Sequence, residues 1–287
     1  MIKEQEKHMA RAFEKFIPVP QKNGVIMVIE KEFGPVGADD WVNIAAGLAD
    51  IVKCTFGTAS LYNEEILQEK VEIYQKSGIS PMIGGTLTEV AILCAGGYTK
   101  KCLGPYLKYA KSLGFTHLEF SDGTIYIPDE RRADIIQMCI QAGFTVISEV
   151  GKKDAAKDAA ITLHRRIELM TKDLRSGAAM VIIEARESGK GIGVMSKSGE
   201  VNFEELDTII QAVGLENTMI EAPNKDQQQS IYMKYGPGAS IGNVQPKDIL
   251  AAAALRAGLR GDTIGVLRKE HWKKYHDAVG APQDYTI

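Results

Sequence analysis

Acidic side chains lie at or just after the ends of several short apolar segments. Glu149, Glu184 and Glu221 each lie at the end of such a segment, and Asp122 follows another. Carboxylates offer the hard oxygen atoms that Mg²⁺ prefers in proteins. Glu30, at the end of the first apolar segment, belongs to the same group. We predict that one or two of these carboxylates hold a magnesium ion together with water and substrate oxygens. No cluster of cysteine and histidine with zinc-site spacing competes.

Basic residues and glycine-rich turns follow the same apolar segments. Lysine and arginine side chains and exposed backbone N–H groups bind oxyanions, so this combination predicts a small, multiply anionic substrate. GKGIG at 189–193 matches no nucleotide-binding fingerprint, and a simple tight turn is an equal alternative. A solvated loop is the alternative for the lysine pair. The basic residues are Lys53, Lys152, Lys153, Arg186 and Lys190, and the second turn is Gly84-Gly85-Thr86.

The five histidines offer no recognisable catalytic or metal-binding motif. They show neither HxxH nor HExxH spacing, and His117 lies at the start of a predicted strand. Hydrolase triads are therefore disfavoured, and acid–base catalysis by lysine or carboxylate becomes the leading option.

Eight short β-branched segments alternate with longer amphipathic segments. The predicted strands span 24–30, 50–54, 79–83, 117–120, 144–150, 180–185, 217–222 and 240–244. The predicted helices span 64–77, 98–113, 129–142, 162–176, 202–213, 225–235 and 246–256. This alternation predicts an α/β fold, a (β/α)8 TIM-type barrel, in which the carboxyl ends of all strands share one mouth. An open doubly wound sheet is the rival, but no GxGxxG follows the first strand.

The periodicity predicts a single barrel domain with an addition at each end. The barrel spans 21–265, an extra amphipathic helix covers 1–20, and a helical tail covers 266–287. The tail interleaves basic and aromatic residues, which we interpret as a solvated helix packing on the barrel.

Composition places the chain among ordinary globular proteins. It has 287 residues, 45% hydrophobic and 25% charged, with a formal net charge of −3 at pH 7. That charge gives no global attraction to nucleic acid or anionic membranes. The four cysteines form no CxxC, and no apolar stretch approaches the ~20 residues of a membrane span. We expect free thiols, a cytoplasmic location, and neither nucleic-acid nor membrane partners.

Seven segments resemble the phosphosulfolactate synthases, the enzymes of coenzyme M and sulfolactate formation. IIEARESGKGIG together with EVGKK is the most specific match, and the segments follow the family order from about residue 20 to 265. The family fold is a (β/α)8-type barrel. The segments are Val52-Lys53 with Gly57-Thr58, GGTLTE at 84–89, FSDG at 120–123, SEVGKK at 148–153, IIEARESGKGIG at 182–193, EAPNKDQQ at 221–228 and LRAGLRGDT at 255–263.

The resemblance implies a carbon–sulfur lyase that adds sulfite to phosphoenolpyruvate, depends on Mg²⁺ and forms (R)-2-phospho-3-sulfolactate. Attack at the methylene carbon pushes charge onto the carboxylate, and carbon 2 is then protonated from one face. A lysine among other cations has a lowered pKa and suits this transfer, so we expect Lys152 or Lys153 as the donor. The expected catalytic residues are Lys53, Lys152 and Lys153; the substrate-binding residues are Gly84, Gly85, Thr86, Ser121, Arg186, Ser188, Lys190 and Asn243; the metal ligands are Asp122, Glu149, Glu184 and Glu221.

Three strand ends depart from the archaeal members of the family. At the end of the first strand, this chain has Glu30-Lys31 where those members have Asp-Lys. At the second, residues 54–58 replace Phe-Gly-Trp-Gly-Thr, and at the third, Met82-Ile83 replaces Tyr-Pro. One alternative is therefore the same scaffold with another nucleophile or acceptor. A plant heat-stress-associated protein also resembles the family, so a non-catalytic role is a third hypothesis. The small anions phosphoenolpyruvate and sulfite are the expected partners, and a homo-oligomer is the expected assembly.

Overall fold

Eight parallel strands close into a barrel in the computed structural model, which describes residues 13, 15–17 and 24–282. Each strand pairs with its neighbours in chain order, and the first also pairs with the last. The (β/α)8 fold and all eight predicted strands are confirmed. The strands are β1 (Ile26–Glu30), β2 (Ile51–Cys54), β3 (Ser80–Ile83), β4 (His117–Phe120), β5 (Thr145–Val150), β6 (Met180–Ile183), β7 (Thr218–Glu221) and β8 (Ser240–Val244).

Helices cover the outside of the barrel. The seven predicted helices are confirmed to within two residues at each end, and the last opens with the 3₁₀ turn Pro246–Asp248. The predicted helices omit the helical segments 35–45, 85–94 and 155–159, and the second of these begins at Gly85 inside the predicted glycine-rich turn. The helices are α1 (Pro35–Ala45), α2 (Glu64–Lys76), α3 (Gly85–Cys94), α4 (Lys100–Ser112), α5 (Asp129–Gln141), α6 (Ala155–Ala159), α7 (Leu163–Arg175), α8 (Phe203–Val213), α9 (Lys225–Tyr235), α10 (Ile249–Arg256), α11 (Ile264–Leu267) and α12 (Lys269–Val279).

Side-chain alternation along the strands separates an apolar barrel interior from a charged mouth. Inward positions near the strand starts carry a cluster of methionine and isoleucine that includes Ile51, Ile147, Ile182 and Met219. Because the side-chain period of a strand is two residues, the next inward position on each of these four strands faces the mouth. Those positions hold Lys53, Glu149, Glu184 and Glu221.

The two ends of the chain extend beyond the barrel strands. The predicted helix at 1–20 lies almost entirely outside the described residues. In the predicted tail, α12 ends at the left-handed Gly280, and Trp272 stacks on His276. Within the described ranges, no helix combines the length and the apolar character needed to cross a membrane.

Candidate active site

A cavity of about 330 Å³ opens at the carboxyl ends of the strands. Its wall combines acidic and basic side chains from opposite sides of the barrel with the start of α3. The lining residues are Ile29, Lys53, Thr55, Phe56, Gly85, Thr86, Glu119, Thr124, Lys153, Glu184, Arg186, Glu187, Glu221 and Asn243.

Three buried carboxylates lie close together at this cavity, and two of them, Glu184 and Glu221, line it. Glu149, Glu184 and Glu221 each offer an oxygen atom, and these atoms lie within 4.8 Å of one another. Burial, followed by the charge of Glu184, raises the pKa of Glu149 well above its usual value. Burial and the charge of Glu221 likewise raise the pKa of Glu184. A buried carboxylate cluster of this kind is costly unless cations compensate it.

The backbone after β6 holds two of these carboxylates in place. The Arg186 N–H donates to Glu184 Oε1 at 2.6 Å, and the Ala185 N–H donates to Glu221 Oε2 at 2.9 Å. Glu149 differs, because its Oε2 is buried without a hydrogen-bond partner. Backbone amides therefore hold two of the three carboxylates, and the third has a buried acceptor oxygen without a hydrogen-bond partner.

Lys53 lies on the β2 side of the cluster. Its Nζ is 2.7 Å from Glu119 Oε2 and 3.3 Å from Glu221 Oε1. Burial by itself lowers the pKa of Lys53, but the charges of Glu119, Glu221 and Glu149 outweigh burial, and the pKa lies above its usual value. Conversely, Lys53 and Lys153 overcome the effect of burial and lower the pKa of Glu221. Lys53 is thus a permanently charged partner of two carboxylates.

Lys153 lies on the other side and contacts the cluster directly. Its Nζ is 2.8 Å from Glu149 Oε1 and forms a second ion pair with Glu184. The expectation of a lowered pKa is wrong for this lysine. Burial acts in that direction, but the surrounding carboxylates, Glu149 first, raise the pKa of Lys153 well above its usual value. Carboxylates rather than other cations are its neighbours.

Lys152 and Asp122 lie apart from the three carboxylates. Lys152 Nζ pairs with Asp122 Oδ2 at 2.5 Å, and the other oxygen of Asp122 binds Arg132 at 2.8 Å. Arg132 continues to the buried Asp173 at 2.5 Å. The structure therefore does not bring Asp122 into the carboxylate cluster, and it separates Lys152 from its neighbour Lys153.

Glu30 is not in the mouth, contrary to expectation. It occupies an outward position of β1, where it pairs with Lys70 and accepts a hydrogen bond from the Tyr74 hydroxyl at 3.1 Å. Both side chains of the Glu30–Lys70 pair are fully buried between the barrel and α2. Glu30 does lie at the end of its strand, as predicted, but its side chain is on the outward face of β1 rather than on the inward face.

Glycines at the start of α3 allow close packing beneath the cavity. The Gly85 N–H donates to Glu119 Oε1 at 2.9 Å. A Cβ at Gly85 would lie 2.4 Å from Ser121 Oγ and 2.7 Å from Glu119 Oε1, so a larger residue would displace these side chains. A Cβ at Gly84 would meet backbone oxygens of Cys54 and Phe56 at 3.0 Å. Thr86 in the first turn of α3 lines the cavity.

The glycine-rich loop after β6 packs against the protein rather than presenting its amides. The N–H groups of Gly189, Gly191 and Gly193 donate to Arg186 O, Ser196 O and Asp158 Oδ2. Ser188 and Lys190 are exposed and do not line the cavity. Of the binding residues predicted after β6, the structure brings only Arg186 to the cavity.

The sequence matches the family model described as (2R)-phospho-3-sulfolactate synthase (ComA) over residues 15–262. The chain belongs to the phosphosulfolactate synthase family. That range contains all eight strands and every side chain of the carboxylate cluster, whereas α12 lies beyond it.

Individual relatives agree with this assignment. The chain is 39% identical over 246 residues to the phosphosulfolactate synthase of Methanothermobacter thermautotrophicus, covering 86% of this chain and 93% of the relative. It is 37% identical over 255 residues to that of Methanocaldococcus jannaschii, with 89% and 99% covered. The resemblance is confirmed, and the chain is an enzyme of the phosphosulfolactate synthase type.

A solved structure shares the fold at low sequence identity. The crystal structure of 3-hexulose-6-phosphate synthase from Salmonella typhimurium is 14% identical, with a TM-score of 0.51 and 88% of this chain and 100% of that chain covered. At this identity the similarity shows the barrel fold alone.

Two further predicted residues of this synthase have different surroundings. Ser121 donates to Glu89, a buried carboxylate that also accepts the N–H groups of Gly123 and Thr124 at 3.0 and 2.7 Å. Ser121 therefore belongs to the support of the loop after β4. Asn243 lines the cavity with a left-handed backbone (φ +59°), and its Oδ1 is buried without a hydrogen-bond partner.

Glu119 is the main site residue that the sequence interpretation missed. It lies within β4, points into the barrel and binds both Lys53 and the Gly85 N–H. A signal was present, because Glu119 is an acidic residue flanked by Leu118 and Phe120, which pack outward. Alternation along HLEF therefore places the carboxylate inside the barrel.

Gly193→Ala is expected to reduce both stability and activity, because a Cβ at this position would lie 2.0 Å from the Glu184 carbonyl oxygen. Gly193 also has a left-handed backbone (φ +62°). Gly191→Ala is the matched control, since Gly191 shares the left-handed backbone (φ +69°) but has open space around it. The control should cost only the left-handed strain of about 1–2 kcal/mol. Thermal denaturation and initial rates compare the two variants. Equal losses of melting temperature would show that strain, not contact with Glu184, governs this loop.

Proposed function

We propose that this enzyme adds sulfite to phosphoenolpyruvate, with Mg²⁺ bound at the carboxylate cluster, and releases (R)-2-phospho-3-sulfolactate. The observation that carries the proposal is a small cavity lined by buried carboxylates and two lysines, beside a cluster of three carboxylates. Membership of the family supports the reaction type. The three-carbon skeleton and several charges of the substrates suit a cavity of about 330 Å³.

The donor set fits a divalent cation. Four buried carboxylates, those of Glu119, Glu149, Glu184 and Glu221, share the ammonium groups of Lys53 and Lys153. A cation of charge two would balance this group, and all the donors are hard oxygen atoms, as Mg²⁺ requires. The unpartnered Oε2 of Glu149 supports the assignment. When bound, Mg²⁺ supplies positive charge for the substrate carboxylate as negative charge develops there.

Lys153 has the geometry of the proton donor. It reaches the cavity, holds a proton at Nζ and contacts two of the three clustered carboxylates. In the proposed reaction the sulfur lone pair forms a bond to the methylene carbon, and the π electrons of the double bond move toward carbon 2 and the carboxylate. The Nζ proton then forms the new C–H bond at carbon 2, and solvent restores the proton to Lys153. Every bond of the phosphate ester remains intact.

Side chains on the rim and wall would hold the two anionic substrates together. Arg186 extends its guanidinium across the rim and donates to the Lys153 carbonyl. Thr86 lies in the first turn of α3, where the positive end of the helix favours an anion. Lys53 contributes a buried positive charge on the opposite wall. Fixed charges of this kind offset the repulsion between sulfite and phosphoenolpyruvate and orient them.

The proposed setting is the cytoplasm. All four cysteines are free thiols: Cys54 and Cys139 are buried, Cys94 is exposed, and Cys102 is partly exposed. Free thiols on the surface are typical of a reducing compartment.

³¹P NMR of the purified protein with phosphoenolpyruvate and sulfite tests the proposal. We expect the vinyl phosphate signal to be replaced by an alkyl phosphate signal in the presence of Mg²⁺, and the replacement to stop after chelation. The product mass should equal the sum of both substrates. Folded protein that leaves phosphoenolpyruvate unchanged with sulfite, but converts it with another nucleophile, would contradict the substrate assignment.

A further inference from the structure

A buried ion pair lies directly behind the site, between α6 and α7. Asp158 and Arg166 are only 3% and 2% exposed, and Asp158 Oδ2 is 3.1 Å from Arg166 Nη2. Neither residue lines the site cavity. Such a pair requires good geometry to offset the cost of removing two charges from water.

Asp158 connects the loops that follow β5 and β6. Its Oδ1 accepts the Lys152 N–H at 2.9 Å, and its Oδ2 accepts the Gly193 N–H at 2.9 Å. Arg166 Nη1 adds a bond to the Val150 carbonyl at 3.0 Å. This one ion pair therefore holds the backbone at the end of β5, in the loop that follows β5 and in the loop that follows β6.

Those backbone contacts lead directly to the reacting groups. The Lys152 amide immediately precedes Lys153, and Gly193 packs on the carbonyl of Glu184. Gly151 lies between the two groups, since a Cβ there would be 2.9 Å from Glu184 Cβ and 3.2 Å from Asp158 Oδ1. A shift of the ion pair would therefore change the separation of Lys153 and Glu184.

We propose that Asp158 and Arg166 are positioning residues that set the geometry of the Lys153–Glu184 pair. This inference rests on the proposed function for its rate measurement. It does not need that function for its cation-binding measurement. The pair acts through the two loops and touches no substrate.

Arg166→Met is the principal test, and Lys70→Met is its matched control. Lys70 belongs to the fully buried Glu30–Lys70 pair on the α2 side, and it does not line the cavity. Each variant removes one cation from a buried pair, so both should lower the melting temperature. Arg166→Met should reduce kcat by about 100-fold with KM within about threefold, the range of losses for residues that orient metal ligands. Lys70→Met should leave kcat within about threefold at temperatures well below unfolding.

Chemical rescue provides a second measurement if Arg166→Met folds poorly. Arg166 and Asp158 form part of the wall of another cavity, about 630 Å³ in volume, between α6, α7 and α8. Arg166→Ala should open a space into this cavity, and added methylguanidinium should restore part of kcat. Methylguanidinium should not restore Lys153→Met, where a different group is missing.

Binding of Mn²⁺, followed by electron paramagnetic resonance, separates this inference from the proposed function. Arg166→Met should bind Mn²⁺ about tenfold more weakly than wild type, because Glu184 is displaced. If wild type fails to convert phosphoenolpyruvate and sulfite but the Mn²⁺ difference persists, the substrate assignment fails and the positioning role stands. If Arg166→Met lowers only the melting temperature and retains wild-type kcat and Mn²⁺ affinity, the pair is purely structural and the inference is wrong.

Discussion

Lys153→Met is expected to reduce kcat by about 10³-fold while leaving the barrel folded, in the range that general acid catalysis contributes. Methionine keeps most of the length of the side chain and removes its proton donor. The methylene chain of Lys153 packs on Gly123, where a Cβ would lie 2.9 Å from Lys153 Cγ, so the variant retains the same support. Steady-state rates by ³¹P NMR and a circular dichroism spectrum check the two parts of this expectation.

Lys152→Met is the control for that prediction. Lys152 is adjacent in sequence, but its Nζ binds Asp122 and the Asp122 carbonyl instead of the clustered carboxylates. We expect a reduction in kcat of about tenfold or less, since only the support of the loop after β4 changes. A larger loss for Lys152→Met than for Lys153→Met would reverse the assignment of the proton donor.

A deuterium experiment adds stereochemical information to the same comparison. In D₂O the wild-type product should carry deuterium at carbon 2 in a single configuration, because the proposed donor, Lys153, protonates carbon 2 from one face. Any residual product of Lys153→Met would receive its deuterium from solvent and should lose configurational purity. Retained purity in that variant would indicate another donor.

The strand positions could be predicted because alternate residues of each strand face the inside of the barrel, first in its apolar interior and then in its mouth. Ile147 and Glu149, or Ile182 and Glu184, follow the two-residue period that places both on the inner face. The same rule, applied to β1, would have placed Glu30 outside, since Met27 points into the barrel. A position at a strand end therefore predicts a mouth residue only when the side chain also lies on the inward face of the strand.

The partners of the mouth residues were not predictable from the sequence. Asp122 follows its strand as a metal ligand would, but Arg132, ten residues later on α5, takes one of its oxygens. Arg132 also stacks on the Phe120 ring, with its guanidinium carbon 4.9 Å from the ring centre. Such contacts depend on tertiary packing, which periodicity does not record.

The predicted lowering of the Lys153 pKa is wrong because it too depends on tertiary contacts that the sequence does not show. The sequence places Lys153 beside Lys152, which suggests a cluster of cations, yet the barrel turns their ammonium groups toward different carboxylates. Sequence neighbours are not electrostatic neighbours when a loop directs consecutive side chains to different sites. The charges that raise the pKa of Lys153 come first from Glu149 and Glu184, and then from Glu119 and Glu221.

Most of the residues that differ from the archaeal family members at the first three strand ends do not line the cavity. Glu30 packs against α2, Met82 lies in the apolar barrel interior, and Ile83 joins the outer core. Only Thr55 and Phe56 of these segments line the cavity. Phe56 has a left-handed backbone (φ +53°) and Lys31 Nζ lies 5.7 Å from its ring centre. Any change of substrate should therefore depend on the β2 end.

Glu184→Gln is expected to weaken divalent-cation binding at least tenfold, because an amide replaces one of the three clustered carboxylates. Glu30→Gln is a close control. Both carboxylates are buried at strand ends and accept the N–H two residues later, at 2.6 Å in each case. Only Glu184 belongs to the cluster. Mn²⁺ titration should therefore show unchanged affinity for Glu30→Gln.

Thermal stability provides a sharper test, because Glu184→Gln should have opposite effects with and without the cation. Burial and the Glu221 charge raise the pKa of Glu184, so the ionised form of this carboxyl destabilises the folded protein when no cation is bound. A neutral amide relieves that repulsion, and the melting temperature of Glu184→Gln in EDTA should equal or exceed that of wild type. Mg²⁺ should then raise the wild-type melting temperature more than that of the variant, since ligand binding stabilises in proportion to affinity. Equal increases in both proteins would place the cation elsewhere, and the charge of this cluster would then require compensation from the substrate side.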